Sequence, residues 1–236
     1  MKIKLIAELG LNHFGNKKYL TEYQNFLSRK KIDGITIQIP HQSLLKKNQK
    51  KFLFDEKKIF DFVKTSKKKF NLVGITTSDH TKIDFFAKLN IDFFKVTSRM
   101  ITNISLIKKM QKTKIKTIYL STGFSNHSEI KKVLKKVTKK KISLIHTSFK
   151  KEIADLNLRN IFLLKKKFNI PVAYGNHSAI LETISNSVFY EPSSIFFYVK
   201  LNQSLKYPDN KYAIKLNQLN YIMKKIKNNI MMSGRG

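Results

Sequence analysis

Polar side chains that could bind an anion or move a proton follow the first apolar segment of the chain. That segment ends in Glu8, and Asn12 and His13 come directly after it within the sequence IAELGLNHFG. A carboxylate, an amide and an imidazole at this spacing could exchange protons with a substrate or bind a metal ion. The alternative is that they are ordinary turn residues after a strand, and from this segment alone the two interpretations are about equally good.

The same arrangement recurs along the chain, and this favours an anion site. Lys95 lies between Phe94 and Val96, and a lysine in a buried strand is costly unless an anion pairs with it. Hydroxyl groups at strand ends could help to bind a phosphate or carboxylate, although a single one often only satisfies loop backbone. The polar residues at the ends of the later apolar segments are Thr36, Gln38, Thr76, Thr77, Ser78, Thr97, Ser98, Ser121, Thr122, His146, Thr147, Ser148, Asn176, His177 and Ser178.

Short apolar segments alternate with amphipathic ones, and this alternation predicts the elements that must position the polar residues. The apolar segments are nearly continuous, as is typical of parallel strands buried on both faces. Eight strands, each followed by a helix, predict an α/β protein with a single (β/α)8 TIM barrel over residues 1–230 and a disordered tail over 231–236. The predicted strands are 3–9, 34–39, 72–77, 93–97, 117–122, 143–147, 172–174 and 194–201, and the predicted helices are 19–29, 56–67, 83–89, 104–112, 128–139, 156–168, 179–189 and 218–228.

Helix caps and one long loop are also predicted from the pattern. Asp155 is a candidate cap for the predicted helix that starts at Leu156. Ser125 or Asn126 is a candidate cap for the earlier predicted helix, 128–139. The longest stretch without periodicity, residues 40–55, comes after the second strand, where a barrel places active-site loops.

Composition limits the classes of function. The chain has 236 residues, a net charge of +32 and no cysteine, so disulfides and thiolate chemistry are excluded. A nucleic-acid-binding protein is disfavoured, because only four of the 47 basic residues are arginines and the lysines cluster in runs such as 67–69, 139–141 and 165–167. The excess charge should still attract anionic substrates. No apolar run is long enough to span a membrane and there is no secretory signal pattern, so we expect a soluble cytoplasmic protein.

Several segments together resemble the sialic acid synthase (NeuB-like) family, which includes legionaminic and pseudaminic acid synthases. IAELGLNHFG is similar to that family's first-strand signature, and FFKVTSRMITNISLI is similar to its fourth-strand segment. IYLSTGFSNHSEIKKVL, LIHTS and VAYGNHS resemble the segments of strands five, six and seven, and Pro208-Asp209 matches a Pro-Asp pair near the end. The resemblance covers residues 3–227.

The resemblance implies a carbon–carbon bond-forming transferase that condenses phosphoenolpyruvate with an N-acyl hexose, such as N-acetylmannosamine, to a nonulosonic acid for surface carbohydrate biosynthesis. It implies a divalent metal, manganese or magnesium, that is held by two histidines, and a homodimer as one possible assembly. No membrane and no specific nucleic acid are expected as partners. By position, the catalytic set would be Glu8, Asn12 and His13, the metal ligand His177, and the substrate-binding residues Gln38, Thr77, Lys95, Ser98, Ser121, Ser148 and Asp209.

Several positions depart from the family pattern. The second metal histidine falls on Tyr198, and a phenol with a pKa of about 10 is a poor ligand for a divalent metal near neutral pH. Thr36 takes the place of a phosphate-binding lysine, and Phe149 takes a polar position on strand six. We also expect the chain to lack the small C-terminal antifreeze-like domain of the family. The alternative function is therefore a catalytically degenerate paralogue that binds an anionic ligand or a partner synthase.

Overall fold

Eight parallel strands form a closed barrel in the computed structural model, which describes residues 2–150 and 152–234. The first strand pairs with both the second and the eighth, which closes the sheet and confirms the predicted (β/α)8 TIM barrel. The strands are β1 Lys4–Gly10, β2 Gly34–Ile39, β3 Leu72–Thr77, β4 Phe93–Val96, β5 Thr117–Ser121, β6 Ile142–His146, β7 Val172–Asn176, β8 Ser194–Lys200 and a short β9, Ile214–Lys215. The helices are α1 Lys17–Ser28, α2 Glu56–Lys67, α3 Ile83–Lys88, α4 Ile104–Lys112, α5 His127–Lys136, α6 Asn160–Phe168, α7 Glu182–Asn186 and α8 Leu219–Met232.

The strand register brings particular polar residues side by side. Glu8 of β1 is paired with Thr36 of β2 on one side and with Tyr198 of β8 on the other. On the far side of the barrel, Lys95 of β4 is paired with Thr76 of β3. Because parallel strands carry their carboxyl ends to one face of a barrel, residues distant in sequence meet at this face.

The interior of the barrel below that face is filled by aromatic and aliphatic side chains. The ring of Tyr119 packs edge to face on Phe196 at 4.8 Å and on Phe93 at 5.3 Å between centroids. Ile6, Ile145 and Ala173 complete this inner cluster, while a larger core lies between the barrel and its helices. The barrel is therefore packed solid beneath its mouth, and ligands can enter only at the ends.

One predicted helix cap is wrong and another is confirmed. Asp155 does not cap a helix, because Asn157 adopts a left-handed conformation (φ 44°) that turns the chain, and α6 begins at Asn160. The cap at Asn126 is confirmed, since its side chain accepts a hydrogen bond from the backbone N–H of Glu129.

The C-terminal tail was predicted to begin at residue 231, but α8 continues through Met232. Both methionines at its end are exposed, so the helix persists without burial there, which is consistent with the high helix propensity of methionine. Residues 235 and 236 of the predicted tail lie outside the described residues. Within residues 2–150 and 152–234, no helix is long and apolar enough to cross a membrane.

The long stretch after β2 forms two short 3-10 turns rather than an extended loop. These turns are Gln42–Leu44 and Lys47–Phe52. Phe54, which follows them, is buried and stacks on His13 at 4.6 Å. The segment is thus attached to the loop after β1 and borders the barrel mouth.

Candidate functional site

Two adjoining pockets open at the carboxyl ends of the strands. The first, which we call the central pocket, has a volume of about 310 Å3, and the second, the lateral pocket, has a volume of about 540 Å3 and extends under the segment after β2. Both pockets are lined by Gln38, Thr97, Arg99 and Asp209. The other residues of the central pocket are Lys95, Ser98, Ser121, Phe124, Phe149, His177, Tyr198 and Tyr212.

A larger groove of about 1310 Å3 lies outside the barrel, between α3 and α4. It is lined by residues of these helices and of the turns beside them, five of which are lysines, and no strand end reaches it. A wide surface groove of this kind gathers no set of converging polar groups, so we assign the candidate site to the barrel mouth.

The centre of the site is a buried ion pair between Lys95 and Glu8. Both side chains are almost fully buried, at 3% and 2% exposure, and the ammonium group donates to Glu8 Oε2. The Lys95 Nζ atom also lies 5.6 Å from the ring centroids of Phe196 and Tyr198. The anion that a buried lysine requires is therefore supplied by the protein itself. Lys95 lines the central pocket and Glu8 does not, and Glu8 Oε1 is buried without a hydrogen-bond partner.

His177 faces the central pocket as a neutral imidazole. Its Nδ1 atom lies 2.6 Å from Thr147 Oγ1, and its ring packs against Phe149 at 4.5 Å and Tyr212 at 4.7 Å. Burial, together with the positive charge of Lys95, lowers the pKa of His177 to about 3. A neutral imidazole can accept or donate one hydrogen bond without adding charge to the site.

Asp209 brings a carboxyl group to the boundary between the two pockets. Its Oδ1 atom accepts a hydrogen bond from the Tyr212 hydroxyl at 3.2 Å, and its Oδ2 atom accepts a longer one from the Leu11 N–H at 3.4 Å. Burial raises the pKa of Asp209 to about 6. The pKa of Tyr212 is raised as well, by burial and then by Asp209. Asp209 is therefore a group that can hold or release a proton near neutral pH.

The donor set at the mouth does not fit a tightly bound divalent metal. Burial and the nearby Glu8 carboxylate raise the pKa of Tyr198 well above its ordinary value, so its phenol stays protonated. Of the carboxylates, Glu8 is bound to Lys95 and Asp209 has a raised pKa. Within the described residues, no group of three His, Cys, Asp or Glu side chains could hold a metal ion. His177 alone is too few ligands for tight binding.

Six of the residues predicted from the sequence meet in the central pocket: Gln38, Lys95, Ser98, Ser121, His177 and Asp209. The segments that follow β4 and β5 are joined by one hydrogen bond, which Ser98 Oγ accepts from the N–H of Gly123 at 3.1 Å.

Two of the predicted catalytic residues lie behind the pocket wall. Asn12 is fully buried and uses both ends of its amide, donating to the Val199 carbonyl at 2.8 Å and accepting from the Asp209 N–H at 3.0 Å. His13 accepts a hydrogen bond from the Gly15 N–H, and burial lowers its pKa to about 4. The structure assigns both side chains to the support of the loop after β1 rather than to contact with a ligand.

Two predicted substrate-binding hydroxyls also have protein partners. Thr77 lines the lateral pocket, but its hydroxyl donates to the Ile39 carbonyl and accepts from the Asp79 N–H. Ser148 is outside the lining of both pockets, and its hydroxyl donates to the Asp155 carbonyl at 3.2 Å. The structure does not bring Ser148 to the other predicted residues.

Three residues of the central pocket were missed by sequence reasoning: Arg99, Phe124 and Tyr212. The rarity of arginine in this chain, directly after Ser98, could have indicated Arg99. Tyr212 could have been indicated by its position three residues after Asp209. Phe124 gives no signal, because an exposed aromatic ring cannot be told from a core residue by its type.

Comparisons with known proteins agree on one family of similar sequences and structures. The sequence model of the NeuB family matches residues 23–236. The N,N'-diacetyllegionaminic acid synthase of Campylobacter jejuni is 26% identical over 96% of this chain and 76% of its own length. A pseudaminic acid synthase of the same species is 25% identical over 92% of this chain and 71% of its own length. The solved N-acetylneuraminic acid synthetase of Leptospira borgpetersenii has a TM-score of 0.91 at 22% identity, covering 100% of this chain and 86% of that one.

Proposed function

The chain belongs to the NeuB family, and from that premise we propose that it condenses phosphoenolpyruvate with an N-acyl hexose such as N-acetylmannosamine to a nonulosonic acid, for surface carbohydrate biosynthesis. The observation that supports this most is the meeting of Lys95, His177 and Asp209 in one pocket at the barrel mouth, each from a different part of the chain. Relatives that carry the names of legionaminic and pseudaminic acid synthases support the same class of reaction.

In the proposed reaction the enol carbon of phosphoenolpyruvate forms a bond to the aldehyde carbon of the sugar. The aldehyde oxygen takes up a proton as that bond forms, and Asp209, with a pKa of about 6, is suited to donate it. Tyr212 donates to Asp209 and holds the carboxyl group in place. Water then adds to the resulting cation and loses a proton, and the carbon–oxygen bond to phosphate breaks to leave a 2-keto acid.

Lys95, Ser98 and Ser121 are the donors proposed for the carboxylate end of phosphoenolpyruvate. Lys95 can donate to that carboxylate only through the N–H groups that do not face Glu8, because the ammonium group is already paired with Glu8. The role proposed for Glu8 is to hold Lys95 in this position. The metal implied by the resemblance enters no step, because the donors at the mouth do not fit it.

The test is turnover by the purified chain with phosphoenolpyruvate and a panel of N-acyl and di-N-acyl hexoses, with and without manganese. Phosphate release and the mass of the 2-keto acid are measured together. We expect product with at least one sugar and its loss in Asp209→Asn. Asp61→Asn, which changes a carboxylate on the outer surface of α2, is the matched control and should keep full activity. Absence of product from every sugar would contradict the proposal.

The second candidate, a catalytically degenerate paralogue that binds an anionic ligand or a partner synthase, is favoured by one specific observation. Near the end of β8, where the family pattern has a metal-binding histidine, this chain has the buried phenol of Tyr198. Lys95 beside it is already neutralised by its ion pair with Glu8. Calorimetric titration with phosphoenolpyruvate separates the two candidates, because tight binding without turnover supports the second and contradicts the first.

A further inference from the structure

The barrel mouth contains a cationic side chain, Arg99, whose charge is not compensated by any carboxylate among the described residues. Arg99 follows β4 and lines both pockets. Within the described part of the chain its guanidinium contacts the ring of Phe124 but has no hydrogen-bond or ion-pair partner. A guanidinium carries five N–H donors in a fixed plane and stays charged at all relevant pH values. We propose that Arg99 binds the phosphoryl group of the substrate, at the boundary between the two pockets; this inference rests on the proposed function.

Lys95 is less suited to this task, although the sequence first points to it. Its ammonium group is 3% exposed and already paired with Glu8, so the pair presents little net charge to a ligand. A phosphoryl dianion would have to compete with that carboxylate at short range, and like charges repel strongly in a buried site. Arg99 is exposed, and although Asp209 lines the same two pockets, no carboxylate of the described residues is paired with Arg99.

The guanidinium lies over one aromatic ring at the rim of the central pocket, and that ring packs on a second one. Its central carbon lies 5.1 Å from the ring centroid of Phe124. Phe124 in turn stacks on Phe149 at 4.5 Å, with only 10° between the ring planes. These rings are 53% and 40% exposed, so the guanidinium above Phe124 remains accessible from the pocket. A guanidinium over a ring face still has N–H groups available for two parallel hydrogen bonds to an anion.

The position of Arg99 fits the phosphoryl group better than the carboxylate. Lys46, from the segment after β2, lines the lateral pocket together with Arg99, so two cations border the same space and suit a dianion. The buried donors Ser98 and Ser121 remain for the smaller, singly charged carboxylate.

The experiment is equilibrium binding of three probes to the full chain at fixed ionic strength: phosphoenolpyruvate, inorganic phosphate and pyruvate. We expect Arg99→Ala to weaken binding of phosphoenolpyruvate and phosphate roughly 10- to 100-fold, and to leave pyruvate unchanged. Arg29→Ala is the matched control, because Arg29 is an exposed arginine directly after α1, on the opposite face of the barrel. Its loss removes the same charge, and affinity for all three probes should stay within roughly 2-fold.

Two further variants test the role of the ring as a positioning group. Phe124→Leu should weaken phosphate binding about 2- to 5-fold, since it removes the stacked face but no charge, while Phe124→Tyr should keep the affinity. Arg99→Lys should bind phosphate with intermediate affinity, because a point charge replaces the planar fork.

Wild-type affinity in Arg99→Ala would overturn the proposal, as would a loss for pyruvate that equals the loss for phosphate, or no phosphate binding by the wild type. Failure of the proposed function gives a different result. If the phosphate effect is found but no sugar reacts, Arg99 is the anion receptor of a non-catalytic barrel. If the wild type turns over and Arg99→Ala has the same KM for phosphoenolpyruvate, the function holds and Arg99 is excluded.

Discussion

Replacement of Glu8 by glutamine should destabilise the protein strongly, because it leaves the buried Lys95 ammonium without a counter-charge. Breaking a buried pair by removing one partner typically costs about 3–5 kcal/mol. The rings of Phe196 and Tyr198, each 5.6 Å from the ammonium, remain and offset a part of this cost. We therefore expect a loss near the lower end, about 3 kcal/mol, which for a chain of this length lowers the melting temperature by roughly 6–12 °C.

The assay is urea unfolding at pH 7, and the variant series contains its own controls. Asp61→Asn breaks an ion pair with Lys17, 3.0 Å long, whose side chains are 37% and 68% exposed, and should cost no more than about 1 kcal/mol. The double variant Glu8→Leu with Lys95→Met removes both charges and should recover most of the loss. A cost below about 1 kcal/mol for Glu8→Gln, or no recovery in the double variant, would refute the reasoning that these two charges are held by each other.

Three further outcomes are expected. Gly10→Ala should be destabilising and should displace Asp209, because φ is 53° at this position and a Cβ atom there would lie 2.3 Å from Asp209 Oδ2. The control is Gly234→Ala, which has φ 70° but no atom within 4 Å, and it should cost only about 1 kcal/mol in urea unfolding. Equal costs for the two variants would contradict the argument. Burial raises the pKa of Asp209 from 3.8 to about 6, so this carboxyl contributes a fall in unfolding free energy as pH rises from about 4 to about 6, opposite in sign to the contributions of His13 and His177, whose pKa values are lowered. Asp209→Asn should remove that fall, and identical pH profiles for the two proteins would speak against it. Manganese, followed by its electron paramagnetic resonance signal, should bind the wild type weakly and Tyr198→His more tightly; His177→Ala in that background should abolish the gain, and a gain that survives would exclude His177 as a ligand.

The barrel could be predicted from the sequence because strands buried on both faces leave an unmistakable pattern. Residues 34–39 and 72–77 were predicted with the bounds that the structure has, since each is a short, mainly apolar run that begins directly after a polar residue. The error at Asp155 arose because Leu156 looks like the start of a helical face. In the structure it belongs to a separate turn, and the left-handed Asn157 divides that turn from α6.

The candidate site was predicted in part, and its misses have physical reasons. Sequence alone indicates that Lys95 needs an anion, but it cannot show that the anion is Glu8, 87 residues earlier, because that contact depends on how the strands are arranged around the barrel. Asn12 and His13 have the residue types of a catalytic group, yet they stabilise loops, a use that only hydrogen-bond geometry reveals. Arg99 gains its role from a neighbouring exposed ring, which hydrophobic patterning assigns to the core.

Closure of the barrel by β1 and β8 has a consequence for how the chain matures during synthesis. The side-chain amide of Asn12 accepts a hydrogen bond from the backbone N–H of Asp209, which is synthesised 197 residues later. The edge of β1 likewise stays unpaired on one side until β8 has been synthesised. At about 5–20 residues per second a ribosome needs roughly 10–40 s to supply that partner. Until then the nascent chain exposes the edge of β1, and Glu8 and Lys95 are not yet buried in the closed barrel. The central pocket is therefore among the last features to assemble. Cellular factors that shield emerging strand edges would therefore act on this chain before its barrel closes.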